Sequence, residues 1–163
     1  MLNKKSILLI CALVLTKGFG QNVFYFEALG PGIFGSLNYE RMLGEKISVR
    51  VGFGGYATTS TDEIGLKERI NVTAIPIGGN FVFGNNHKFE FSGGANILKF
   101  SSSIDVLGLE LHELGAGVTT FYSGLGYRYQ KDTGGLFFRL NGYYLIADSG
   151  GIANGGISLG WAF

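Results

Sequence analysis

The chain is poor in most of what stabilises or equips a soluble enzyme. Of its 163 residues one is cysteine, and that Cys11 lies inside the apolar leader, so a chain cleaved after it has no disulfide, no thiol nucleophile and no cysteine-ligated metal. Two prolines and two histidines are present. Charged residues make up 15%, against roughly 25% in average soluble proteins, so there is little to dress a water-facing surface. Only one long apolar run occurs, Ile7–Leu15. It is about half the length needed to span a bilayer as a helix. No helical periodicity of useful length appears after Gln21.

That run follows Lys4 and Lys5 and ends near Gly18, Phe19 and Gly20, the order of a secretory signal peptide. Residues 1–20 are expected to be removed and 21–163 to form one domain. A lipoprotein through Cys11 fits less well, because apolar residues continue past the cysteine. Cleavage after Gly20 removes three lysines and leaves 10 basic against 12 acidic residues, which argues against nucleic acid as a partner.

What is abundant is glycine (28), phenylalanine (14) and tyrosine (8), a composition suited to curved, aromatic-rich sheet. Period-two alternation recurs in eight segments: Val23–Leu29, Ile33–Leu43, Lys46–Tyr56, Thr73–Phe83, Lys88–Phe100, Thr119–Tyr129, Gly135–Leu145 and Asn154–Phe163. In the third, Ile47, Val49, Val51 and Phe53 share one face and Ser48, Arg50, Gly52 and Gly54 the other. In the seventh, Leu136, Phe138, Leu140 and Tyr144 oppose Arg139 and Asn141, while Phe137 and Tyr143 blur the polar side. Connections after even-numbered strands are short, and those after the third, fifth and seventh are long or polar. The first, "GPG", is as tight as a turn. This asymmetry predicts an all-β, eight-stranded antiparallel up-and-down transmembrane barrel with both ends of the chain in the periplasm.

Alternation alone leaves a soluble lipocalin-like barrel open. The polar face decides, because it is rich in Gly, Ser and Asn, which suits a crowded narrow interior better than water. Turned the other way, it would put Glu40, Arg50, Glu90, Arg128 and Arg139 in lipid. Those five residues are therefore expected to project into the lumen as a fixed salt-bridge network; an ion path or proton relay is the alternative. Tyr39, Phe83, Phe89, Tyr127, Tyr129, Trp161 and Phe163 are expected to form an aromatic girdle on the turn side, with Tyr56, Phe100, Phe121 and Tyr144 on the loop side. The same reading expects Val51→Arg to impair insertion more than Gly52→Ser.

"SLNYER" (36–41), "GYRYQ" (126–130), "GGLFFR" (134–139) and the closing "GISLGWAF" together resemble a family of small Gram-negative outer-membrane β-barrel proteins, similar in architecture to OmpX and to the barrel domain of OmpA. The resemblance implies that Phe163 belongs to the signal read by the outer-membrane assembly machinery, and it carries no catalytic role.

The remaining motifs read as structural. "HELGA", with His112 and Glu113, lacks the second histidine of a zinc-protease motif, and His87 sits in a tight turn. "GAGVTT" and "GLGYRY" precede strands, not helix N-termini that could hold phosphate. "NVT" at 71–73 matches a glycosylation acceptor in the wrong compartment. Asp62, Glu63, Glu68 and Asp105 could bridge a divalent cation, but loop solvation explains them. Residues 105–115 continue the alternation and could form a protruding hairpin whose edge accepts a partner strand, or a hairpin that only covers the mouth. The expected protein is a monomeric, non-enzymatic outer-membrane barrel in contact with lipid and lipopolysaccharide, using no cofactor, with a structural or surface-interaction role in loops 57–72 and 101–118. A lipid A-modifying enzyme and a narrow passive channel are the alternatives.

Overall fold

The computed structural model describes residues 20–61, 67–106, 109–147 and 150–163. The leader, with Cys11, and Asp62 and Glu63 lie outside the described residues, as do the side chains of Glu68, Asp105, His112 and Glu113.

Eight antiparallel strands close on themselves in chain order: β1 (Asn22–Leu29), β2 (Gly35–Met42), β3 (Ile47–Thr61), β4 (Lys67–Gly84), β5 (His87–Val106), β6 (Leu109–Gln130), β7 (Gly135–Ala147) and β8 (Gly150–Ala162). Closure comes from β1 and β8, which pair from Val23↔Ala162 to Leu29↔Gly156. The last residue is part of that seam. Phe163 and Asn22 exchange two backbone hydrogen bonds of 2.8 Å, so the aromatic terminus is tied to the first strand and no edge is left there.

Along each strand the pleat alternates as the sequence does. Phe24, Phe26, Val51, Phe53, Phe89, Leu125, Leu140, Leu159 and Trp161 point outward and are exposed, while Tyr25, Glu27, Asn38, Arg50, Glu90, Arg128 and Arg139 are buried inside. Phe53 is 65% exposed and Trp161 60%. Water would not sustain an apolar waist of this extent around a folded monomer, whereas acyl chains would.

Four predicted strands are too short. β3 and β4 pair as far as Thr61↔Lys67, and β5 and β6 as far as Val106↔Leu109. Segments 57–72 and 101–118 are therefore mostly hairpin strand, not loop. Among the described residues their outward side chains, such as Thr59, Arg69, Asn71 and Ser101, are mostly polar, which made them read as solvated loop. β8 likewise begins at Gly150 instead of Asn154, and β2 begins at Gly35, two residues after the predicted start.

That last difference has a local cause. Gly30–Gly32 form a single 3-10 turn, η1, whose residues are all buried, and its flanks Leu29 (φ 61°) and Ile33 (φ 69°) occupy the left-handed half of backbone space. Non-glycine residues held there cost about 1–3 kcal/mol each. Asn96 donates from Nδ2 to the Pro31 carbonyl, and Asn154 Nδ2 donates to the Gly30 carbonyl at 2.9 Å, holding the turn in the barrel mouth. The tight first connection acts as a stopper.

Two further expectations change. Tyr56 and Phe100 carry the same pleat parity as the interior residues Gly54 and Leu98, so they sit on the inner side above the rim and not in an outer girdle; Phe121 and Tyr144 do face outward. Gly52 is also not a tolerant position. A Cβ there would run into the Asn38 carboxamide and the Pro76 ring, because the interior is packed to its wall at that level.

Candidate functional site

Two regions of the barrel carry chemistry beyond spanning: the charged interior and the sheet that stands above the rim.

The interior brings together all five residues named from the sequence. Arg128 and Arg139 lie directly opposite one another on β6 and β7, a like-charge pair that is unfavourable on its own. Carboxylates from β2, across the lumen, and from the neighbouring β5 relieve it. Glu40 of β2 accepts from Arg128 Nη2 at 2.5 Å and from Arg139 Nη1 at 3.3 Å. Glu90 of β5 accepts from Arg128 Nε at 2.6 Å and from Arg139 Nη1 at 3.3 Å. Ser48 Oγ and Asn141 Nδ2 supply these two carboxylates with further donors at 2.5 and 2.9 Å.

Sequence reading missed a third carboxylate. Glu27 of β1 accepts from Arg139 Nη2 at 3.0 Å, from the Tyr143 hydroxyl at 2.8 Å and from Arg50 Nη1 at 3.4 Å. Three carboxylates thus face three guanidiniums, all with fully buried side chains. The signal was present in "VFYFEA", but β1 is apolar on both faces, with Val23 and Tyr25 inside and Phe24 and Phe26 outside, so Glu27 did not stand out as part of a polar face.

The aromatic residues that blurred the pattern prove to be interior partners. Arg139 lies 4.6 Å from the Tyr25 ring centroid and 5.8 Å from Phe137, and Arg50 packs against Tyr122 and Tyr143 at 5.1 and 5.6 Å. Guanidiniums set over rings fill space as well as balancing charge. Among the described residues, no group of three or more His, Cys, Asp or Glu is arranged to hold a metal ion.

At the short-turn end, Trp161 and Phe163 are exposed on the outer wall, and Tyr127 and Tyr129 are half-buried there. His87 Nδ1 lies 2.6 Å from the Tyr127 hydroxyl, and its ring also packs against Tyr129, so it joins the cluster of rings at that end.

The second region begins at a row of residues in register, Gly55–Thr73–Lys99–Gly117 on β3 to β6. Below it the outer wall is apolar (Phe53, Ile77, Ile97, Phe121); above it the described outer residues are mostly polar (Thr59, Arg69, Asn71, Ser101). The inner side does the opposite, with Tyr56, Ile70, Phe100 and Val118 half-exposed over a mouth whose interior below is charged. β2 leaves β3 at Ser36↔Gly54 and β7 leaves β6 at Phe121↔Ile146, so above those points β3 to β6 form an open four-stranded sheet. Its outer strands present unpaired backbone edges among the described residues.

No family model matches the chain, and no curated protein matches it in sequence. Solved structures match it in fold. The attachment invasion locus protein Ail of Yersinia pestis, solved in complex with the heparin analogue sucrose octasulfate, superposes with a TM-score of 0.59 at 11% identity, covering 89% of this chain and 99% of that one. A major outer membrane protein from Thermus thermophilus gives 0.54 at 13% identity over 88% and 98% of the two chains. The N-terminal β-barrel domain of Pseudomonas aeruginosa OprF gives 0.53 at 11% over 88% and 96%. The chain has the fold of bacterial outer-membrane β-barrels.

Proposed function

From that fold, we propose that the protein is a monomeric outer-membrane barrel in which the spanning part is a closed anchor and the projecting sheet is the working part, binding a partner at the cell surface. The observation that carries the reading is the polarity inversion at Gly55–Thr73–Lys99–Gly117: outer faces that suit lipid below the row and water above it argue that the sheet stands clear of the bilayer. Its unpaired edges offer backbone donors and acceptors to an added strand. The chain ends and short turns are then periplasmic. Phe163 serves the assembly machinery, and residues 1–20 are the cleaved leader. Lys99, exposed on the boundary row, and Arg69 above it are suited to meet lipopolysaccharide phosphates.

The mutually paired interior charges and the seated η1 turn support a non-conducting barrel and leave those carboxylates and guanidiniums no role in catalysis. Cutting the hairpins back, by joining residues 57 to 72 and 101 to 118 through short turns, tests the reading. The shortened barrel should still assemble and should lose adhesion or partner capture; binding equal to that of the full chain would refute it. Planar-bilayer recording should show no steady openings, and lipid A profiles of a deletion strain should be unchanged.

A further inference from the structure

The mouth of the barrel holds a recess that the surface-binding reading does not use. It has a volume of about 550 Å³ and lies where β6 parts from the β7–β8 hairpin; Ile33, Leu98, Thr120, Leu145, Ile152 and Asn154 line it. Its floor is firm: Leu98 and Leu145 are buried, and η1 closes the lumen beneath. None of the described lining residues carries a charge, although the interior one layer deeper is built from six ionised side chains.

One polar atom in the lining lacks a partner. Thr120 is 7% exposed and its Oγ1 makes no hydrogen bond, whereas Asn154 Nδ2 already donates to the Gly30 carbonyl. A buried hydroxyl without a partner is costly, and a hydrogen-bonding group placed in the recess would supply one. The apolar residues Tyr56, Ile70, Phe100 and Val118 extend the same surface chemistry above the recess.

We propose that this recess binds an uncharged lipophilic small molecule bearing a single hydrogen-bonding group, seated with that group on Thr120. The volume lies within the ordinary range of small-molecule sites. A neutral lining offers no compensation for a buried charge, which selects against carboxylates, sulfonates and phosphates. Recession below the rim favours a small molecule over a protein surface.

The test uses the full mature chain in phospholipid nanodiscs, with methyl NMR as the readout and N-phenyl-1-naphthylamine as the neutral probe. Its anionic relative, 8-anilino-1-naphthalenesulfonate, is the control. The expected result is saturable shifts at Ile33, Leu98 and Leu145, with the lipid-facing Val49 and Leu159 unmoved and the sulfonate weaker by about tenfold or more. Thr120→Val should weaken the neutral probe roughly two- to tenfold with the fold intact. Ile152→Glu, which changes an exposed lining residue, should weaken it by about tenfold or more.

Shifts confined to Val49 and Leu159 would mean bilayer partition and would overturn the proposal. So would equal binding of the sulfonate, or indifference to both substitutions. Contacts from the recess methyls to residues 107–111, to nanodisc acyl chains or to a second copy that the probe does not displace would assign the recess to those occupants instead.

Discussion

Replacing Arg139 with methionine removes the centre of the interior network while keeping most of the side-chain volume. The guanidinium donates to Glu27, Glu40 and Glu90 and to the Tyr25 hydroxyl, at 3.0–3.3 Å, and lies over the Tyr25 and Phe137 rings. Without it, two guanidiniums face three carboxylates in a site with no exposed side chain. Removing one partner of a buried pair costs about 3–5 kcal/mol, because the remaining charge cannot be rehydrated. The lower end applies here, since Glu40 and Glu90 keep Arg128, and Glu27 keeps Arg50 and Tyr143. The expected loss is about 3 kcal/mol. Adding Glu90→Gln, which leaves Arg128 with Glu40 and Arg50 with Glu27, restores the charge balance and should return about 1–2 kcal/mol of it. Equilibrium unfolding from lipid vesicles, followed by the emission of Trp161, the single tryptophan, measures both. A loss below about 1 kcal/mol for Arg139→Met, or a double variant no more stable than the single one, would show that the arginine is not the keystone assigned to it.

Val51→Arg puts a cation into the apolar waist and should cost about 2–4 kcal/mol if Val51 lies near the bilayer midplane, measured by the same unfolding assay. Gly52→Ser should also destabilise, because its Cβ meets Asn38 and Pro76, whereas Gly93→Ala, whose added Cβ has only an ordinary contact to the Tyr122 carbonyl, should be close to neutral; equal tolerance of the two would contradict the packed interior. Deleting Phe163 removes two seam hydrogen bonds and should lower the heat-modifiable assembled form more than His112→Ala does. Asn96→Ala takes away the donor to the Pro31 carbonyl and should speed amide exchange across residues 29–34; unchanged exchange would mean that η1 is held by other contacts.

The barrel was legible because its signal is local. A bilayer outside and a crowded lumen inside require opposite faces at every second residue, and period two survives in the sequence whatever the neighbours are. Strand ends were less legible for a related reason. Above Gly55–Thr73–Lys99–Gly117 the outer face turns polar, so alternation that continues in space, as at Thr59 and Arg69 beside Ile70 and Val72, looks like solvated loop when only hydropathy is read. Parity, not hydropathy, is what puts Tyr56 and Phe100 on the inner side.

By itself, then, the sequence determined the class of fold, which way its faces point and that Glu40, Arg50, Glu90, Arg128 and Arg139 share the inside, since each of these follows from spacing along one strand. Tertiary structure alone decided which charges meet. Glu27 reaches Arg139 from a strand 112 residues away in sequence, Glu40 and Glu90 relieve an Arg128–Arg139 repulsion that no single segment reveals, and Pro31 seats against Asn96 across the lumen. Such contacts depend on barrel closure and on the register of all eight strands, and no local pattern encodes either.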